Sequence, residues 1–276
     1  MKFVTPFLLV MFLFPQSVLA NDELLFGSVA MDIPAVMHKR LSPLTEYLAG
    51  KIGRPVSLKL SPNMGAAIDD TVNERVHLSY LTPVAYIKAH DKGEARVLVK
   101  TITDGAASFQ LMIVVRDDST VKSVSDLIGK SFAFGDERAL LQQATVVNAG
   151  ITLDQFSEHK FIGHYDNIAR AVLNRDFEAG ILKDTTANKW IDKGLRIIYS
   201  SPQLPPYNIA VSRKVDAGLA EQIRAAFLAL DGKNPEHLRI IKALDESYDG
   251  FAATSDEEYD VVRKLIQPFN NPSAKK

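Results

Sequence analysis

Apolar and polar residues follow two rhythms along this chain, and the rhythms alternate. Leu24 to Ala30 reads as a strand that ends in the turn-like Met31-Asp32-Ile33-Pro34. Val36, Met37, Leu41, Leu44 and Leu48 then fall on one helical face, closed by Gly50 and Gly53. Val56 to Leu60 is a short strand, Ala66 to Glu74 a helix and His77 to Tyr80 another strand. Thr82 can cap a helix that has Pro83 at its first position and runs to about His90. Val97 to Ile102 and Leu111 to Arg116 are rich in β-branched residues and predict strands. Such alternation is expected of a parallel sheet covered by helices.

The pattern then repeats. Ser123 to Asp126 is a capping box for a short helix stopped by Gly129. Ser131 to Phe134 predicts a strand, followed by Gly135-Asp136 and a helix from Glu137 to Asn148. Lys160 to Ile162, Glu178 to Leu182 and Leu195 to Tyr199 predict strands. The helices between them start near Asp166 and Asp184, each Asp a candidate N-cap. Tyr207 to Ser212 predicts a strand that returns to the first unit. The remainder reads as mostly helical: Asp216 to Leu230, Pro235 to Leu244, and Tyr259 to Ile266 behind the capping box Ser255 to Glu258.

This order implies an α/β fold with two lobes joined by crossing strands, near Thr103 to Gln110 and Ser200 to Ile209. Residues 21–105 and 206–276 form lobe 1 with the C-terminal helices, and residues 106–205 form lobe 2. A cleft between the lobes gathers strand ends and helix N-termini, which is where a solute is expected to bind. A single large α/β domain is the alternative reading.

One segment stands outside both rhythms. Lys2 precedes an apolar run from Phe3 to Phe14, and Val18-Leu19-Ala20 is a small-residue cleavage site. Residues 1–20 therefore predict a cleavable signal peptide, too short for a membrane anchor, and the periplasm as the destination. Removing them leaves 256 residues, enough for one large domain or two smaller ones. No cysteine is present, so disulfides, thiolate metal sites and a thiol nucleophile are excluded. The 32 Lys and Arg nearly balance the 33 Asp and Glu, with no basic stripe, which disfavours nucleic acid and anionic membrane as partners. The six His are scattered without ligand-like spacing, and no cofactor or metal is expected. Neither a Gly-x-Ser-x-Gly elbow nor a Walker-type loop occurs, so catalysis has little support. Residues 271–276 read as a frayed tail.

Several stretches resemble the phosphonate/phosphite-type periplasmic solute-binding proteins of ABC transporters. They are HLSYLTPVAYIKA (77–89), IVVRDDS (113–119), VSDLIGKSFAFGD (124–136), GHYDNIARAVL (163–173) and FEAGI (177–181). The resemblance covers nearly all of the mature chain in order. It implies a type 2 periplasmic-binding-protein clamshell with two crossing hinge strands, and no catalysis. Family members that grip phosphonate usually follow Phe-Gly-Asp with a Ser-Thr-Ser-Gly segment at a helix start. Here Asp136 is followed by Glu137-Arg-Ala-Leu-Leu-Gln-Gln143, which has no hydroxyl. Tyr165 takes the place of the family's histidine and His164 that of its serine.

Candidate ligand-binding residues are Tyr80, Thr82, Phe109, Arg138, His164, Tyr165, Asp184 and Tyr207. The resemblance puts Tyr80 at a family ligand position, against a role as core or rim tyrosine; Thr82 either lines the cleft or serves only as a cap. Arg138 can grip a carboxylate, sulfonate or other oxyanion, or be neutralised by Glu137 as a surface pair. His164 and Tyr165 can line the cleft or pack at a helix start. Asp184, after Lys183, can touch ligand or cap a helix, and Tyr207 with Asn208 can touch ligand or support the hinge. Met31 and Phe109 can give the cavity an apolar side, or belong to the core.

The expected function is a monomeric binding protein that closes on a small anionic solute, phosphonate-like, sulfonate, carboxylate or oxyanion, and presents it to an ABC permease. The alternative partner is a membrane sensor kinase, to which the same clamshell would report. An enzyme on this scaffold is the third reading.

Overall fold

The computed structural model describes residues 23–28 and 33–270. The signal-peptide segment, Met31 and residues 271–276 lie outside the described residues. Lobe 1 opens with β1 (Leu24–Ser28), α1 (Pro34–Ile52), β2 (Val56–Leu60), α2 (Met64–Val72), β3 (Leu78–Leu81), α3 (Pro83–Gly93) and β4 (Arg96–Thr103). Lobe 2 follows: β5 (Leu111–Arg116), β6 (Ser131–Phe134), α4 (Leu140–Asn148), β7 (Glu158–Phe161), α5 (Tyr165–Leu173), β8 (Ala179–Lys183), α6 (Asp184–Ile191) and β9 (Leu195–Ser200). The chain then returns through β10 (Asn208–Val211), α7 (Ala217–Leu228), α8 (Pro235–Leu244), β11 (Tyr248–Ala253) and α9 (Asp260–Asn270).

The sheets are mixed rather than purely parallel. The six-stranded sheet has the order β11-β4-β10-β3-β1-β2 and the five-stranded one β7-β6-β8-β5-β9. Parallel pairs are β1 with β2 and β3, and β6 with β7 and β8. The strands that enter from the other lobe, β5 and β10, run antiparallel to both their neighbours. The reason is geometric. The parallel strands end at the cleft, so a strand arriving through the cleft must start there and run the opposite way. The crossings are tied by an antiparallel bridge, with Phe109 and Leu204 exchanging N–H···O bonds of 3.0 and 2.8 Å.

Local chemistry sets the helix starts. Thr82 Oγ1 accepts the Ala85 N–H at 3.1 Å, and Pro83 fills the first turn of α3. Asp166 and Asp184 are not N-caps: His164 and Lys183 hold those positions, and both carboxylates lie in the first turn. There they still complement the helix dipole, while Asp166 accepts the Trp190 indole N–H at 2.9 Å. The predicted helix at Glu137 begins only at Leu140, because residues 137–139 form a turn. β11, absent from the sequence reading, pairs antiparallel with β4 at the sheet edge. Gly180 lets α5 approach β8 closely: a Cβ there would lie 2.4 Å from the Ile168 side chain.

One buried cluster runs between the lobes, joining Leu81 and Ala85 to Ile113, Phe132 and Phe134 and to Val262, Leu265 and Ile266 of α9. The last helix thus packs on both halves, and Asn148 of α4 donates to the Leu265 carbonyl at 2.9 Å. Asp256 anchors the other side. It accepts hydrogen bonds from Tyr86 of α3 at 2.7 Å and Arg263 of α9 at 2.6 Å, and lies 3.6 Å from His90. Burial raises the Asp256 carboxyl, but these bonds and charges outweigh it and hold it below its ordinary range. A depressed carboxyl contributes stability that is complete above its unfolded pKa, roughly 4, and is lost as pH falls through the folded value. The urea midpoint of the native protein should therefore fall more steeply below about pH 4.5 than that of Asp256→Asn.

Candidate ligand-binding site

A cavity of ≈190 Å³ lies where the ends of the two sheets meet. Lobe 1 contributes Met64 and the start of α3, from Thr82 through Val84 to Lys88; lobe 2 contributes the turn before α4, its first residues, and Tyr165. Phe109, Leu111 and Tyr207 come from the crossings. The wall is largely apolar, and its ionisable groups at neutral pH are two cations, Lys88 and Arg138, with no carboxylate among the lining residues.

Three hydroxyls in this wall keep a proton to give. Thr82 both caps α3 and lines the cavity: a hydroxyl that accepts the cap bond retains its own O–H. Tyr165 accepts from Gln142 Nε2 at 3.2 Å, and burial pushes its phenol up to about 12. Burial also raises the Tyr207 phenol. Both rings are therefore neutral donors at physiological pH.

Gln142 organises lobe 2's side of the cleft. Its Oε1 accepts the Gly135 N–H at 2.8 Å while its Nε2 reaches Tyr165. Gly135 permits this: a Cβ would lie 2.8 Å from Gln142 Nε2 and 3.0 Å from the Gly163 carbonyl. Arg138, at the rim, is 75% exposed, and its partner is Asp136 rather than Glu137, with contacts of 2.8 and 3.1 Å. The Arg138 hydrogen bonds hold the Asp136 carboxyl below its ordinary range.

Five of the eight candidates line the cavity: Thr82, Phe109, Arg138, Tyr165 and Tyr207. Three do not. Tyr80 is 1% exposed behind the wall, stacked on Tyr207 at 5.1 Å and bonded through its hydroxyl to Tyr248 at 2.6 Å. His164 is exposed at the N-cap of α5, with no capping bond from its side chain. Asp184 fastens the first crossing, accepting the Gln110 N–H at 2.8 Å and the Thr185 N–H at 2.7 Å. Lys183 sits behind the wall with its ammonium 5.4 Å from the Phe109 ring centre, and burial lowers its pKa. Lys88 and Gln142 escaped sequence reasoning. Lys88 had a signal, standing one helical turn after Val84 on the face that the Thr82 cap directs to the cleft.

Two lobes, paired crossings and a donor-lined cavity between them define a solute-binding protein of the clamshell class. The family described as ABC transporter, phosphonate, periplasmic substrate-binding protein matches residues 26–259, and the chain belongs to it. Membership makes it a solute-binding component of an ABC transporter for a small anion, and not a catalyst. The phosphate-import protein PhnD of Mycolicibacterium smegmatis is 24% identical over 95% of this chain and 91% of its own length. XAC2383 from Xanthomonas citri, solved bound to ATP, shares the fold with a TM-score of 0.72 at 18% identity, covering 89% of this chain and 98% of that one. PhnD1 from Prochlorococcus marinus, solved with methylphosphonate, gives 0.69 at 18% identity over 91% of this chain and 99% of that one. Among the described residues no group of three or more His, Asp or Glu is arranged to hold a metal ion.

The placement of Tyr80 separates packing from binding. Tyr80→Phe removes a buried hydroxyl pair and should lower unfolding free energy by ~1 kcal/mol. Affinity for an anion that binds the protein, measured by calorimetry, should change less than about twofold, because the ring stays behind Tyr207.

Proposed function

We propose that the protein, exported to the periplasm by residues 1–20, captures a small anion in the cleft between its lobes and delivers it as a monomer to a membrane permease. The observation that carries this reading is the cavity wall, which pairs two cations and three hydroxyl donors with no lining carboxylate. Thr82 and Lys88 hold the anion from lobe 1, Tyr165 and Arg138 from lobe 2, and Tyr207 from the returning crossing. The guest meets the full set only when both lobes touch it, so its binding favours closure over any open form. The alternative partner, a membrane sensor kinase, would use the same cleft and has no separate observation in its favour.

Titration calorimetry against phosphate, phosphite, phosphonates, sulfonates and carboxylates tests the reading. At least one should bind with a Kd of about 1 μM or tighter, and small-angle scattering should show contraction on its addition. A folded protein that binds none of them refutes solute capture at this cleft. Arg138→Ala should weaken binding only about fivefold, ~1 kcal/mol, because the guanidinium is exposed and already shared with Asp136.

A further inference from the structure

We propose that the cleft selects an organic anion carrying a compact apolar body about the size of one aromatic ring, with Lys88 as the main countercharge for its head group. The inference rests on the solute-capture reading and narrows it to a substrate class.

Size comes first. The cavity measures ≈190 Å³, and an apolar cavity of roughly 150 Å³ is enough to hold benzene. A ring or branched chain therefore fits with space left for a small charged group. The wall supplies the matching surface in Met64, Val84, Phe109, Leu140 and Leu141. Inorganic phosphate would leave that surface against water and give up the burial that an apolar substituent gains. The turn that opens α4 adds to the discrimination. Residues 137–143 contain no Ser or Thr to wrap a tetrahedral dianion, and apolar Leu140 and Leu141 stand there instead.

The charges rank themselves. Arg138 is mostly exposed and occupied by Asp136. Lys183 is shielded by Phe109 and is not among the lining residues. Lys88 lines the cavity, is half-buried, and has no carboxylate partner among the described residues. A half-buried cation without a counterion interacts more strongly with an incoming anion than an exposed, paired one does. Val84 and Lys88 share one face of α3, so apolar body and head group can be met by the same helix.

Calorimetry with two matched series tests this: methylphosphonate against phenylphosphonate, and methanesulfonate against benzenesulfonate, with inorganic phosphate alongside. Within each series the phenyl compound should bind at least about tenfold more tightly. Lys88→Met should weaken the preferred compound by about tenfold or more, Lys88→Arg should restore part of that loss, and both variants should keep the parent melting temperature within a few degrees. Leu141→Ser should shrink the phenyl-to-methyl ratio by several-fold without changing the phosphonate-to-sulfonate ratio. Equal or tighter binding of inorganic phosphate or methylphosphonate overturns the inference and leaves solute capture standing. Unchanged affinity in Lys88→Met overturns it as well. Binding to none of these compounds, or to any anion of the wider panel, removes the underlying reading with it.

Discussion

A strand that reaches a sheet through the cleft has to run against the strands that end there. This constraint on direction places nearly every element of the site. It reverses β5 and β10 relative to their neighbours, so Gln110 and Tyr207, the residues just before them, lie at the cleft edge. The strands that run the other way deliver Thr82, Gly135 and Asp184 to the same edge from their C-terminal ends. The bridge between Phe109 and Leu204 then fixes one crossing to the other, and the Asp184 carboxylate fixes the first crossing to α6. Backbone direction thus brings polar side chains from both lobes to one edge, while their apolar side chains meet in the cluster under α9.

At that edge, hydrogen bonds made for structure leave protons over for function. Thr82 stabilises α3 through its oxygen and keeps its O–H; Tyr165 does the same with Gln142. Neither needs to break a bond to meet an anion, so little reorganisation opposes binding. Asp136, next to the lining turn, accepts hydrogen bonds from the Arg138 side chain and backbone N–H, which hold its carboxylate in the turn. The residues that line the cavity are thus cations, neutral donors and apolar groups, and Lys88 has no carboxylate partner among the described residues.

The parts of this design that were legible in the sequence are those enforced by local chemistry. Thr82-Pro83 marked a helix start that the structure reproduces, and the run Leu111 to Arg116 marked a strand whose residues are all buried. The parts that were not legible depend on distant partners. Tyr248 to Ala253 carries Asp249 and Gly250, which argue against a strand; it is one because β4 offers an edge. Glu137 to Ala139 has helical composition, yet Asp136 accepts the Arg138 N–H at 2.8 Å and holds a turn. Asp184 looks like a cap from sequence, and only the returning fold shows that its carboxylate serves the backbone of Gln110, 74 residues away. Tyr80 shares its strand end with the cleft, but strand pleating turns its ring toward Tyr248.

The last helix limits how the lobes can move. A hinge made of two crossings alone would allow wide opening, but α9 is packed into the same buried cluster as both halves. It is bonded to α4 through Asn148 and Leu265, and to α3 through the Arg263–Asp256–Tyr86 set. Pulling the lobes straight apart would expose Val262, Leu265 and Ile266, each buried in the cluster, at ~1.5–3 kcal/mol apiece. A motion that keeps α9 seated avoids that cost, so this packing favours rotation of the lobes about α9 and the crossings over straight separation.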